Sequence, residues 1–213
     1  DVDTHLELYR KFEAIAFQIG TYKDNLFLNN MYLKYNPVYK QETSSLWETL
    51  LDTSIASRPQ LMVNHTNQTK EVFVQDENNM IYLIGSTGTV LWQRQLTEKI
   101  IGEVQQIDIY NNGRLQLLFG TRSKIYVIDR LGRDVTGWPV TLPAPASNEV
   151  IALDYDNNKN YRSLVACMDN QLYNYDKAGK RVEGWEFAGS VARVTAPVEH
   201  FVVNNKDYIF VTD

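Results

Sequence analysis

Few side chains in this 213-residue sequence stand at spacings that chemistry requires. The densest candidate is "LDYDNNKN", which sets Asp154, Asp156, Asn158 and Asn160 at alternate positions. Calcium takes oxygen ligands from loops built this way, so Asp154, Asp156 and Asn158 are the candidate metal ligands. The stretch lacks the central glycine and the downstream bidentate glutamate of a full calcium loop, and the equivalent turn "IDIYNNGR" keeps only Asp108. Asp and Asn also cap the backbone of ordinary turns. A self-capped turn is therefore the simpler reading, with calcium as the alternative and no other cofactor implied.

The remaining reactive residues are scattered. His5, His65 and His200 have no metal-ligand spacing. Cys167 is the single cysteine, which rules out an intrachain disulfide and a thiolate metal cluster. No nucleophile elbow, phosphate-binding loop or metalloprotease motif is present, so no catalytic residue is assigned. "NHT" and "NQT", from Asn64 and Asn67, match the N-glycosylation pattern but also suit a polar turn.

Composition narrows the classes further. Asp and Glu number 26 against 21 Lys and Arg, a net charge of −5, and no basic block occurs. A nucleic-acid partner, which needs a basic stripe, is not expected. No apolar run approaches the ~18 residues of a membrane span. The acidic, polar opening "DVDTHLELYR" is not a signal peptide, which leaves a cytoplasmic protein or a mature or trimmed form of something longer.

The elements that position these residues repeat. "IYLIGSTGTVLW", "IYVIDRLGRDVTGW" and "LYNYDKAGKRVEGW" align at Tyr82, Tyr126 and Tyr173 and at Gly88, Gly132 and Gly179. Each ends in a tryptophan, and Trp47, Trp92, Trp138 and Trp185 fall at intervals of 45, 46 and 47 residues. Between them the same succession returns: a strand, a turn rich in Asn, Asp and Gly, a second strand, then the tyrosine strand. Strands such as "LQLLFG" are apolar at nearly every position, which means that both faces are covered. Four-stranded units of ~40–50 residues buried on both faces predict the blades of a β-propeller. The glycine after each tyrosine strand is expected to supply a positive φ.

Residues 1–57 fit the repeat less well and read as a divergent N-terminal blade. In it "FEAIAFQIG" and "NLFLNNMYLKYN" are strands, "SLWETLLD" is an outer strand, and "THLELYRKF" is a strand or a short helix. Residues 58–213 carry the regular blades. The last, "PVEHFVV" and "DYIFVTD", has only two strands, giving about four and a half blades and an open fragment of a larger propeller. The apolar edge at "YIFV" lacks the charge or proline that blunts an edge, so strand pairing with another copy is expected there.

These residues resemble the repeat of PQQ-like (quinoprotein-type) propellers, in which a tyrosine strand, a Thr-Gly turn and a docking tryptophan recur. "IYVIDRLGRDVTGWP" is similar to repeats of uncharacterised bacterial cell-envelope propellers. The resemblance covers roughly residues 45–213. It implies that Trp47, Trp92, Trp138 and Trp185 each stack between neighbouring blades, and that the protein sits in the periplasm or cell envelope. "LDYDNNKN" also resembles the calcium loops of integrin-type propellers. The quinoprotein enzymes of the family close eight blades around quinone and calcium, and this sequence has half that number. The function expected is a non-catalytic scaffold holding a protein partner of unknown identity. The alternatives are a calcium- or carbohydrate-binding module and a remnant of a quinoprotein-type enzyme.

Overall fold

The computed structural model describes residues 5, 9, 11–22, 26–36, 45–204 and 206–213, and from residue 11 onward its regular elements are β-strands. The chain divides into two compact units, 1–46 and 47–213. Within the first, β1 (Phe12–Tyr22) and β2 (Leu26–Tyr35) form one two-stranded antiparallel ribbon. Its register sets Ile15 opposite Leu33 and Phe17 opposite Met31. The expectation for "THLELYRKF" falls mostly outside the described residues.

The second unit holds the propeller blades. Blade 1 is β3 (Gln60–Val63), β4 (Lys70–Gln75), β5 (Met80–Ile84) and β6 (Val90–Gln95). Blade 2 is β7 (Ile100–Ile107), β8 (Gln116–Thr121), β9 (Lys124–Ile128) and β10 (Val140–Thr141). Both are four-stranded antiparallel sheets in chain order. Blade 3 keeps β11 (Ile151–Leu153), β12 (Arg162–Ala166) and β13 (Leu172–Tyr175) and has no fourth strand among the described residues. β14 (Glu199–Val203) and β15 (Lys206–Phe210) pair only with each other among the described strands.

The continuous apolar strands do face two ways. In β8 every residue is buried. Leu117 and Phe119 join the core shared with Phe73, Ile81 and Leu83 of blade 1, whereas Leu118 joins Val150 and Val165 of blade 3. Alternation along the strand thus sends successive residues to opposite neighbours, which is why the run shows no polar face. Along the first strands of the blades a pair of glutamines replaces apolar contact. Gln106 exchanges hydrogen bonds with the backbone of Val63 in blade 1, at 2.7 and 2.9 Å. Gln105, on the other face, accepts from Ala152 N–H and donates to Val150 C=O of blade 3, both at 2.8 Å.

The glycine after each tyrosine strand has two reasons to be there. Gly88 and Gly132 hold φ of 84° and 77°. A Cβ on Gly88 would also lie 2.8 Å from the Trp47 ring, and one on Gly132 3.0 Å from Trp92. Trp92 donates its indole N–H to Arg130 C=O at 2.7 Å, and Trp138 reaches Lys177 C=O at 3.3 Å. Each therefore docks on the last turn of the following blade. Residues 45–54 form no strand, in contrast to the outer strand expected at "SLWETLLD". Trp47 is placed instead by its contact with Gly88 and by Thr49, whose hydroxyl donates to Gly88 C=O at 2.5 Å. Trp185 departs from the expected role. Its indole N–H donates to Leu172 C=O of its own blade at 2.8 Å.

Candidate functional site

Antiparallel order puts the first-to-second and third-to-fourth turns of each blade at one end of the sheet, so these turns share one rim. Loops on such a rim are where function is grafted onto a propeller. Here a cavity of about 630 Å³ opens between blades 1 and 2, lined by His65, Tyr110, Arg114, Arg130, Leu131 and Arg133 among others.

Side chains from both blades hold its walls. Arg130 forks onto both carboxylate oxygens of Glu71 through Nε at 3.1 Å and adds a further Nη2 contact. Glu71 is buried, with 2% of its surface exposed, and also accepts from Asn64 Nδ2 at 3.0 Å. A buried carboxylate survives only when paired and hydrogen-bonded, and the planar guanidinium supplies both. His65 Nδ1 accepts from Leu115 N–H of blade 2 at 3.2 Å. In that geometry Nδ1 carries no proton, and any proton on the ring sits at Nε2. Arg133 Nε donates to Asp129 Oδ2 at 2.8 Å, while Asp129 Oδ1 accepts from Leu131 and Arg133 N–H. Burial alone would push the Asp129 carboxyl up; Arg133 and these amides overcome it and hold the group below the usual carboxylate range.

The sequence-derived metal candidates lie on the same rim, in the β11–β12 turn. Asp154 Oδ1 accepts from Asn158 N–H at 3.0 Å and Oδ2 from Lys159 N–H at 2.9 Å. Asn158 Oδ1 accepts from Asn160 N–H at 2.8 Å, and Asp156 is exposed. Asp154 and Asn158 thus cap amides of their own turn. Among the described residues no group of three or more His, Cys, Asp and Glu side chains converges on a metal position.

Asp108, in the equivalent turn of blade 2, takes Asn112 and Gly113 N–H at 2.9 and 2.8 Å. It also takes Lys159 Nζ of blade 3 at 2.5 Å. Desolvation pushes its carboxyl up, and the Lys159 hydrogen bond with the two amides outweighs that and lowers it. Elsewhere, burial pushes the Cys167 thiol up to about 12, which removes thiolate character at neutral pH. Asn64, the first glycosylation-type asparagine, is 5% exposed, whereas Asn67 is exposed and accepts from Thr69.

Sequence reasoning missed the cavity and the Glu71–Arg130 pair, because the two residues are 59 apart in the chain. A signal existed for the glutamine ties: two adjacent amides inside the otherwise strand-like "VQQIDIY".

No protein-family model matches the sequence, and no curated protein is significantly similar to it. Solved structures do match in fold. A crystal structure of BBS1N in complex with ARL6DN, soaked with mercury, superposes with a TM-score of 0.55 at 13% identity, covering 76% of this chain and 48% of that one. The same complex soaked with lead gives 0.54 at 13%, covering 72% and 42%. BamB from Moraxella catarrhalis matches with a TM-score of 0.49 at 14%, covering 91% and 54%. The chain spans about half the length of these solved chains. Both its blades and this likeness make it a β-propeller.

Proposed function

We propose that this chain is a non-catalytic interaction propeller that holds a protein partner on the rim between blades 1 and 2. The observation that carries the reading is the cavity itself. Its walls are fixed by ties from both blades, while Tyr110 and Leu131 stand 55% and 59% exposed at its edge. Rigid walls with exposed aromatic and aliphatic anchors are what a partner surface uses. BBS1N, of like fold, is crystallised with ARL6DN, which accords with partner binding by such a propeller. The PQQ-like character of the repeat and a place in the bacterial cell envelope belong to the same proposal and rest on the repeat residues. The outward face of β14–β15, where Phe201 stacks on Tyr208 and Phe210 is 53% exposed, is a second surface for a partner or another copy.

The test compares proteins captured from a bacterial envelope extract by the wild type and by a Tyr110→Ala, Leu131→Ala variant. Because both side chains are exposed, the variant should melt like the wild type. A partner held by the wild type and lost from the variant supports the reading. An unchanged set of captured proteins overturns it.

A further inference from the structure

Blade 3 departs from the repeat in three ways, and all three meet at one cavity. First, β5 and β9 each carry a fourth strand, but β13 has none among the described residues. Second, the residue after the repeat tyrosine is apolar in blades 1 and 2, Leu83 and Val127, and is Asn174 in blade 3. Leu83 and Val127 are 1% and 0% exposed and sit in inter-blade cores. Asn174 is equally buried at 5%, and its Oδ1 has no hydrogen-bond partner among the described residues. Third, Trp185 folds back onto Leu172 of its own blade, where Trp92 and Trp138 reach the next turn.

The space left is a cavity of about 280 Å³, lined by Gln171, Tyr173, Asn174, Arg181, Trp185 and Phe187 among others. That volume lies just below the ~300–1,000 Å³ usual for small-ligand clefts, so it suits a small molecule better than a protein loop. Its lining combines three aromatic rings with two amides, the Glu186 carboxylate and the Arg181 guanidinium, which stacks over Tyr173 at 4.6 Å from the ring centroid. A buried amide oxygen without a donor is unfavourable; Asn174 Oδ1 is itself closed to solvent, so a ligand hydroxyl would relieve it after a turn of that side chain.

We propose that this cavity binds a neutral saccharide. A pyranose offers an apolar C–H face to Trp185 or Phe187 and a girdle of hydroxyls that both donate and accept. Asn174 Oδ1 takes one hydroxyl proton, and Arg181 and Gln171 donate to other oxygens. The site is separate from the rim between blades 1 and 2 and stands without it.

The test is a calorimetric titration of the whole chain with cellobiose, maltose and N,N′-diacetylchitobiose, repeated on Asn174→Leu and Arg181→Ala. Asn174→Leu restores the apolar residue of the other two blades, so its melting temperature should stay level or rise. Saturable binding of at least one sugar, weakened tenfold or more in both variants, supports the proposal. No saturable heat with any of the three sugars overturns it, as does undiminished binding by Asn174→Leu. Should Asn174→Leu fail to fold, the exposed Arg181→Ala decides in its place: undiminished binding by that variant overturns the proposal.

Discussion

Blades 2 and 3 carry nearly the same repeat and end differently. "IYVIDRLGRDVTGWP" leaves the tyrosine strand, turns at Gly132, and returns as β10 alongside Lys124 and Ile125. "LYNYDKAGKRVEGWE" makes the same turn, with Val182 N–H on Asn174 C=O at 3.0 Å, and forms no returning strand. Trp138, 6% exposed, is held by the last turn of blade 3, while Trp185 is partly buried against its own blade. The repeat therefore specifies a blade's inner strands and its turn. The fate of the outer strand and tryptophan depends on the surface that the neighbouring sheet supplies.

The largest test of that contrast removes the rings. Trp138→Ala should cost about 3–5 kcal/mol, as for other buried aromatic truncations, and lower the melting temperature by many degrees. Trp185→Ala, which strips only a partly buried ring, should cost about half as much or less. Equal losses would erase the distinction between the docked and the folded-back tryptophan.

Next comes the tie between blades 1 and 2. Arg130→Met keeps much of the side-chain volume but strands the buried Glu71, at a cost of about 3 kcal/mol. Arg130→Met with Glu71→Met should recover most of the loss, because no unpaired charge is left behind. Thermal melting of both variants checks this. A double variant as unstable as the single one would show that the pair acts by shape rather than by charge.

A smaller effect separates the rim by pH. The Asp108 and Asp129 carboxyls are lowered from an ordinary value of 3.8. A depressed carboxylate lends stability that is present above the unfolded pKa and lost as pH falls through the folded one. Melting temperatures should hold from neutral pH down to about 4 on this account and fall below it. Asp108→Asn should lower the neutral melting temperature and make the acid fall shallower. An unchanged acid limb in that variant would assign the loss to other carboxylates.

The smallest expected effect is none. Millimolar calcium should leave the melting temperature unchanged, since a ligand stabilises only by binding the native state and Asp154 is engaged by its own amides. An upward shift that disappears in Asp154→Asn, Asp156→Asn would establish the calcium site in its place.

The sequence by itself determined the blade. Period-two burial on two faces, the tyrosine strand, the glycine turn and the spaced tryptophans are local or nearest-neighbour features, and each leaves a mark on residue type. Gly88 shows this directly, because both its φ and the Trp47 ring above it exclude a side chain. Tertiary structure alone decided which edge is completed and which groups meet. Glu71 finds Arg130 across 59 residues, Lys159 finds Asp108 across 51, and Asn174 Oδ1 is left without a donor among the described residues. Such meetings depend on how one sheet is placed against the next. That placement is fixed by the sum of many apolar contacts between blades, which no single stretch of sequence encodes.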